Sequence, residues 1–506
     1  MTAESALWIG LVAVLALGSL HWVGGIVVDD AFVESWLSRM IDSETGRHEV
    51  SVGAVAVRPL RTGIRITSLR IAPRSGGRGV AVPAPVGPGL RLHVPELEID
   101  GIDLFSTLGG SLAAREVRAA GVNVVHQAGT RGWNQIVTQL GLELHDLVLD
   151  GPAGTGLLAS LLGALAEARA DLYLIRGSDG RRSVELREVV VSPATATART
   201  ERATLWMTRD EVSDSDPWPG GGRVATDTTR ISASGTRVRE LTLDTVDGTI
   251  AVSGRSLVVD SLAALVVDAV PPGPHREARE PAAKTPQQHL RSVGVPARID
   301  SVAVEGGWIR YRELRPGHRL AGEILFDELS GSVAPLVAGP PGPRVPDTVR
   351  VSTRSHLQSS APVRLDVGFP AAGEDFTFTA EGSVDDLPLT SLNPMFGPVA
   401  GVRIRGGWLG ELTFRLAVNG GRARGTVRPV FDDLDLSLEN TSSGGRGIAE
   451  HIRGFVMSLR LNSDNLPAEG DGFRHGTIDR SVPRDETFLQ ALWYSLRQGL
   501  RDVAGI

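Results

Sequence analysis

Carboxylates are the most chemically capable residues in this sequence: Asp432, Asp433 and Asp435 stand together, and Asp385 and Asp386 are adjacent. Such groups could hold a divalent cation or act as a general acid and base. The first cluster lacks the glycine turn and distal glutamate of a calcium loop. Asp433 and Asp435 fall on the polar side of an alternating strand pattern, and Asp385 and Asp386 precede a Leu-Pro loop. Both are read as solvated surface groups. The run GPAGTG at 151–156 starts like a phosphate loop, but Leu157 stands where a lysine is needed. There is no GxSxG or HExxH motif, and the 11 histidines are scattered singly. With no cysteine, disulfides, thiolate metal sites and thiol nucleophiles are excluded together. No enzyme, metal or cofactor is expected. A hydrolase would need carboxylates assembled from distant strands, which a sequence cannot display.

The elements that position residues begin with residues 6–28, ALWIGLVAVLALGSLHWVGGIVV, an apolar run whose only ionisable residue is His21. At 1.5 Å per residue it is long enough to cross a hydrocarbon core of about 30 Å. Trp8 and Trp22 stand near its ends, Leu11, Leu15 and Val27 lie along it, and Asp29 and Asp30 stop it. A basic n-region and a short apolar core, the marks of a cleaved signal peptide, are missing, so an uncleaved single-pass anchor at 1–28 is expected. Net charge is −7 and Lys284 is the only lysine, so there is no basic stripe for nucleic acid.

Residues 30–43 read as a short amphipathic helix, with Phe32, Trp36, Leu37 and Met40 on one side. From residue 50 the apolar period falls to 2 and Gly or Pro interrupts at short intervals, the pattern of antiparallel β-structure. One motif recurs, with apolar residues at i, i+2, i+5 and i+7. It occurs at Ile64, Ile66, Leu69, Ile71; at Leu92, Val94, Leu97, Ile99; at Leu142, Leu144, Leu147, Leu149; at Val184, Leu186, Val189, Val191; at Ala297, Ile299, Val302, Val304; and more weakly at Pro429, Phe431, Leu434, Leu436. Strict alternation would send the two pairs to opposite faces. A one-residue bulge in the middle would restore one apolar face and curve the strand; the rival is two short strands on different faces.

VAVEGGWIR at 302–310 and VRIRGGWLG at 402–410 form a second repeat, read as strand, Gly-Gly hairpin turn and return strand led by Trp308 or Trp408. Helices are expected at 155–169 around Leu158, Leu161, Leu162 and Leu165, at 447–459, and at 485–503 with Asp485 as cap. The last carries the stripe Leu489, Trp493, Leu496, Leu500 and Val503, which either packs in the core or docks a partner. A Pro-rich linker at 271–297 separates β segments 29–270 and 298–480, with the helical tail at 481–506.

The order of anchor, short helix and strands, together with GSVDDLPLTSLNPMFGPVAGVRIRGGWLGELTFRLAVNGGRARGTVRPVFDDLDL at 382–436, resembles the AsmA-like superfamily of bacterial envelope proteins. The closer likeness is to a branch of AsmA-like proteins of uncharacterised role. The resemblance covers most of the chain and carries no catalytic residues. It implies an inner-membrane anchor, a periplasmic body built as an elongated, curved antiparallel β-groove, and a part in phospholipid transport or outer-membrane assembly. Bilayer and phospholipid acyl chains would then be partners and phospholipid the bound molecule. This chain is much shorter than members thought to bridge the periplasm. The apolar faces could instead close as a β-sandwich, and the protein could be an accessory subunit scaffolding a membrane complex.

Overall fold

The computed structural model describes residues 48–58, 61–73, 89–103, 111–127, 133–150, 157–178, 180–208, 228–246, 249–269, 284–291, 296–314, 321–339, 348–438, 464–467, 473–484 and 486–504. They are mainly β, with 22 strands and a few short helices. The expected anchor, with Trp8, Leu11, Leu15, Trp22 and Val27, lies outside them, as do the helices expected at 30–43 and 447–459. Among the described residues no helix is long and apolar enough to cross a membrane. The chain divides into two compact units. One holds the described residues up to Trp206 with Ser234–Gly254; the other holds those from Arg255 onward with those of Met207–Ala233. Residues 284–291, inside the Pro-rich run, belong to the second unit.

In the first unit β1 (His48–Ser51) and β2 (Ala54–Arg58) pair with opposite halves of β3 (Gly63–Pro73). The strands β4 (Gly89–Ile102), β5 (Ser111–Gln127), β6 (Trp133–Asp150), β7 (Leu165–Gly177) and β8 (Arg182–Ser192) follow, each antiparallel to the one before. Next come β9 (Thr197–Thr208) and β10 (Thr228–Arg239), and β11 (Thr242–Val246) pairs with the start of β12 (Thr249–Ala269). Between β6 and β7, α1 (Leu157–Ala164) is shorter than the helix expected at 155–169. Leu165 onward pairs with β6 on one side and, from Ala168, β8 on the other, and these ladders outweigh the helical preference of an Ala- and Leu-rich run.

The recurring motif does present one apolar face. Ile64, Ile66, Leu69 and Ile71 are at most 2% exposed, and Leu92, Val94, Leu97 and Ile99 at most 6%. In four of the six copies the residue at i+4 takes a left-handed backbone: Ser68 (φ 55°), Asp146 (φ 50°), Glu188 (φ 51°) and Asp433 (φ 49°). That conformation resets the side-chain alternation. The expected bulge is only part of the device. Across Ser68 the register with β4 is unbroken, Thr67 pairing with Glu96 and Leu69 with Val94, so both strands switch together. Between β5 and β6 the register does shift, between Ala119 and Val122 and again before Val124. The switch points adjoin: a Cβ on Gly121 (φ 68°) would lie 3.3 Å from Pro95 and 3.4 Å from Gln139, itself at φ 52°. A crease thus crosses β4, β5 and β6 at one level.

The second unit holds α2 (Pro286–Arg291), β13 (Ala297–Val304), β14 (Gly307–Leu314), β15 (Gly322–Ala334), β16 (Leu336–Ala338), β17 (Thr348–Leu357), β18 (Ala361–Pro370), β19 (Phe378–Pro388), α3 (Asn393–Ala400), β20 (Val402–Asn419), β21 (Arg422–Leu438), β22 (Gly476–Ser481) and α4 (Phe488–Ala504). β17 to β22 form an antiparallel meander. β12 and β14 are parallel, Leu262 opposite Gly307 through Ala269 opposite Leu314, so the sheet is mixed rather than purely antiparallel.

The Gly-Gly pairs do not turn the chain. β13 and β14 pair with successive parts of the same strand, Val302 with Val333 and Ile309 with Phe326, so 297–314 continues in one direction; Gly406 and Gly407 lie inside β20. The second glycine of each pair is there because a neighbour comes close. A Cβ on Gly307 (φ 152°) would sit 2.0 Å from the Leu262 carbonyl oxygen, and one on Gly407 (φ 115°) 2.9 Å from Leu434 Cα. At that level the adjoining strand carries an acidic residue with left-handed backbone, Glu328 (φ 50°) on β15 and Asp433 on β21. The two copies therefore share local structure as well as sequence.

α4 starts at a capping box. Thr487 N–H donates to Gln490 Oε1 at 3.0 Å and Gln490 N–H to Thr487 Oγ1 at 3.4 Å, while Asp485, the expected cap, lies outside the described residues. Its Phe488 ring meets Phe369 and Phe378 edge-on, with centroids 5.3 and 4.9 Å apart.

Candidate functional site

Pairing in the first unit lines its apolar side chains into rows that cross the strands. One row runs Val55, Ile66, Leu97, Ala119, Leu142, Ala168, Val191. Another runs Val50, Ile71, Leu92, Val124, Val137, Tyr173, Leu186. Burial falls toward β8 along both, although the first row also begins half-buried at Val55. Ile66 and Leu97 are each 1% exposed and Ala119 8%, but Leu142, Ala168 and Val191 are only half-buried. In the second row exposure rises from 2% at Val50 and Ile71 to 7% at Val124, and Val137, Tyr173 and Leu186 are half-buried. Leu161 and Ala164 of α1 belong to the same apolar cluster, and α1 packs against β6. Full burial of a Leu or Val is worth roughly 1.5–3 kcal/mol. Toward β8 that stabilisation is only partly realised, which leaves an apolar strip able to take more cover.

The opposite face is charged. Arg65 Nε donates to Glu98 Oε1 at 2.7 Å, Arg118 lies 3.5 Å from Glu143, and Arg169 pairs with Glu167. The hydrogen bond from Arg65 holds the Glu98 carboxyl below the usual range, and that from Arg169 does the same for Glu167. Glu116, Glu143 and His145 converge here with ligand atoms within 4.8 Å of one another. Arg118 already bridges both glutamates, so a cation would have to displace it. The sequence hint was Glu143 and His145 two apart on one strand, hence on one face.

In the second unit a deeply buried acidic pair escaped sequence reading. Asp268 and Glu313 are register partners on the parallel strands β12 and β14, 5% and 1% exposed. Asp268 Oδ2 accepts from Tyr311 Oη at 3.1 Å and from Gln490 Nε2 of α4 at 2.9 Å, while its Oδ1 has no hydrogen-bond partner. Burial, then the charges of Asp268 and Glu313, push the Tyr311 phenol above its ordinary range, so it stays a donor. The group ties the C-terminal helix to two strands. The expected stripe on that helix is divided: Leu496 and Leu500 pack on the core, Val503 is 4% exposed, Trp493 is half-buried, and Leu489 is exposed at 38%.

The carboxylates considered first are at the surface: Asp433 and Asp435 are exposed, Asp432 is half-buried, and Asp386 is exposed beside half-buried Asp385. The Asp433 N–H donates to Asp464 Oδ1 at 2.8 Å, a backbone role rather than a catalytic one. A concavity of about 590 Å³ on the second unit is lined by charged and polar side chains such as Arg350, Asp366, Glu381 and Arg415 together with Val351, Val367 and Leu416. No family model, curated protein or solved structure matches the chain.

Proposed function

We propose that this is an AsmA-like, inner-membrane-anchored periplasmic protein that handles phospholipid, holding acyl chains against the apolar face of a curved β-groove. The observation that supports the reading is the burial gradient: the rows that are nearly inaccessible at Leu97 and Ile71 end half-buried at Val191 and Leu186, respectively. Acyl chains laid on that end would gain about 0.8 kcal/mol per methylene removed from water. The apolar run 6–28 supports the anchor and the bilayer as partner. A scaffold role through the C-terminal helix has less support, because Leu496, Leu500 and Val503 are occupied within their own unit.

The test is native mass spectrometry with lipid extraction on the purified soluble body, residues 29–506. Phospholipid that co-purifies in fixed proportion is expected. Protein that is folded yet consistently free of lipid would remove the proposal.

A further inference from the structure

β22 ends the second unit's meander. Its inner side pairs with β21, Arg422 opposite Ser481 through Val427 opposite Gly476. Its outer side would present unpaired peptide groups to solvent, a template for another strand. Side chains of α4 occupy those groups. Thr477 N–H donates to Asp502 Oδ2 at 2.7 Å, Asp479 N–H to Gln498 Oε1 at 3.0 Å, and Gln498 Nε2 donates to the Asp479 carbonyl at 3.0 Å. The Gln498 amide thereby gives Asp479 the donor and acceptor that a residue on an adjacent antiparallel strand would give. So close an approach requires two glycines. A Cβ on Gly476 would lie 1.8 Å from the Gly499 carbonyl oxygen, and one on Gly499 would lie 2.5 Å from Val427 and 2.9 Å from Ile478.

We propose that α4 is a plug on a strand-docking edge, and that β22 of a second copy of this chain takes its place when α4 is displaced. The edge is self-complementary. Its outward-facing groups sit on residues 477 and 479, so an antiparallel alignment centred on Ile478 sets Thr477 opposite Asp479 in both directions, each pair exchanging two bonds. Ile478, 1% exposed beneath α4, would meet its own counterpart. Centring on Asp479 would set like charges against each other, which disfavours that register.

The experiment uses the full chain in mild detergent. The double variant Gln498→Ala, Asp502→Ala keeps the apolar side of α4 and removes its bonds to the edge. At low concentration, before copies associate, hydrogen exchange at residues 476–481 is expected to rise, and the mass by light scattering to double with increasing concentration. Adding Thr477→Pro deletes an outward N–H without breaking the ladder to β21, and is expected to restore the monomer mass. Three results would each overturn the proposal: exchange that does not change, faster exchange with the mass unaltered, or a doubled mass that persists with Thr477→Pro.

Discussion

Gly306 and Gly307 are neighbours with different duties. A Cβ on Gly306 would meet nothing nearer than the Asp260 carbonyl oxygen at 3.5 Å, whereas on Gly307 it would collide with Leu262. Gly307→Ala is therefore expected to cost about 3 kcal/mol, and Gly306→Ala less than about 1 kcal/mol, in urea denaturation. Equal effects would contradict the close approach. Tyr311 offers a second test at this scale. Its phenol is raised in the folded protein by burial and by the adjoining carboxylates. The folded state then keeps a proton that the unfolded chain releases near pH 10. The stabilisation is complete below that pH and is lost as pH rises above it. Tyr311→Phe should abolish this alkaline decline while costing about 1–3 kcal/mol at neutral pH through the lost bond to Asp268. Denaturation curves at neutral pH and on either side of about pH 10 would check both parts.

The creases decide how strands keep one apolar face. Asp146 is exposed and left-handed, so its side chain matters less than its backbone. Asp146→Gly is expected to be neutral or stabilising by up to about 1 kcal/mol, and Asp146→Val destabilising by about 1–2 kcal/mol, as read from denaturation midpoints. This much was legible: the apolar spacing of the repeats predicted the strands and put the interruption of alternation between the two apolar pairs. The Gly-Gly motif misled because a hairpin is inferred from the turn itself, while the cause here, Leu262, lies 45 positions upstream on a parallel strand. Helix 155–169 was overextended because Leu165 to Ala170 has helical composition and only its pairing reveals a strand. The acidic pair was illegible for the same reason. Asp268 and Glu313 are isolated in sequence and meet only through the register of β12 with β14.

At the scale of the molecule, the two ends of each apolar row should respond differently. Leu97→Ala, at the buried end, is expected to destabilise the first unit by about 2–5 kcal/mol. Leu186→Asp, at the half-buried end, should leave the fold intact by circular dichroism and reduce co-purified phospholipid at least several-fold. Lipid retained in full by Leu186→Asp would shift the site away from β8. The meander from β3 to β8 has a further consequence. From β4 to β7 each strand pairs with the strand before and the strand after it, and every row simply continues from one strand to the next. Length is then an adjustable property, as in proteins built by stacking repeated modules. A hairpin copied from β5–β6 and spliced in phase would extend every row by two positions without disturbing those already present, so capacity along the sheet can be changed in whole-hairpin steps.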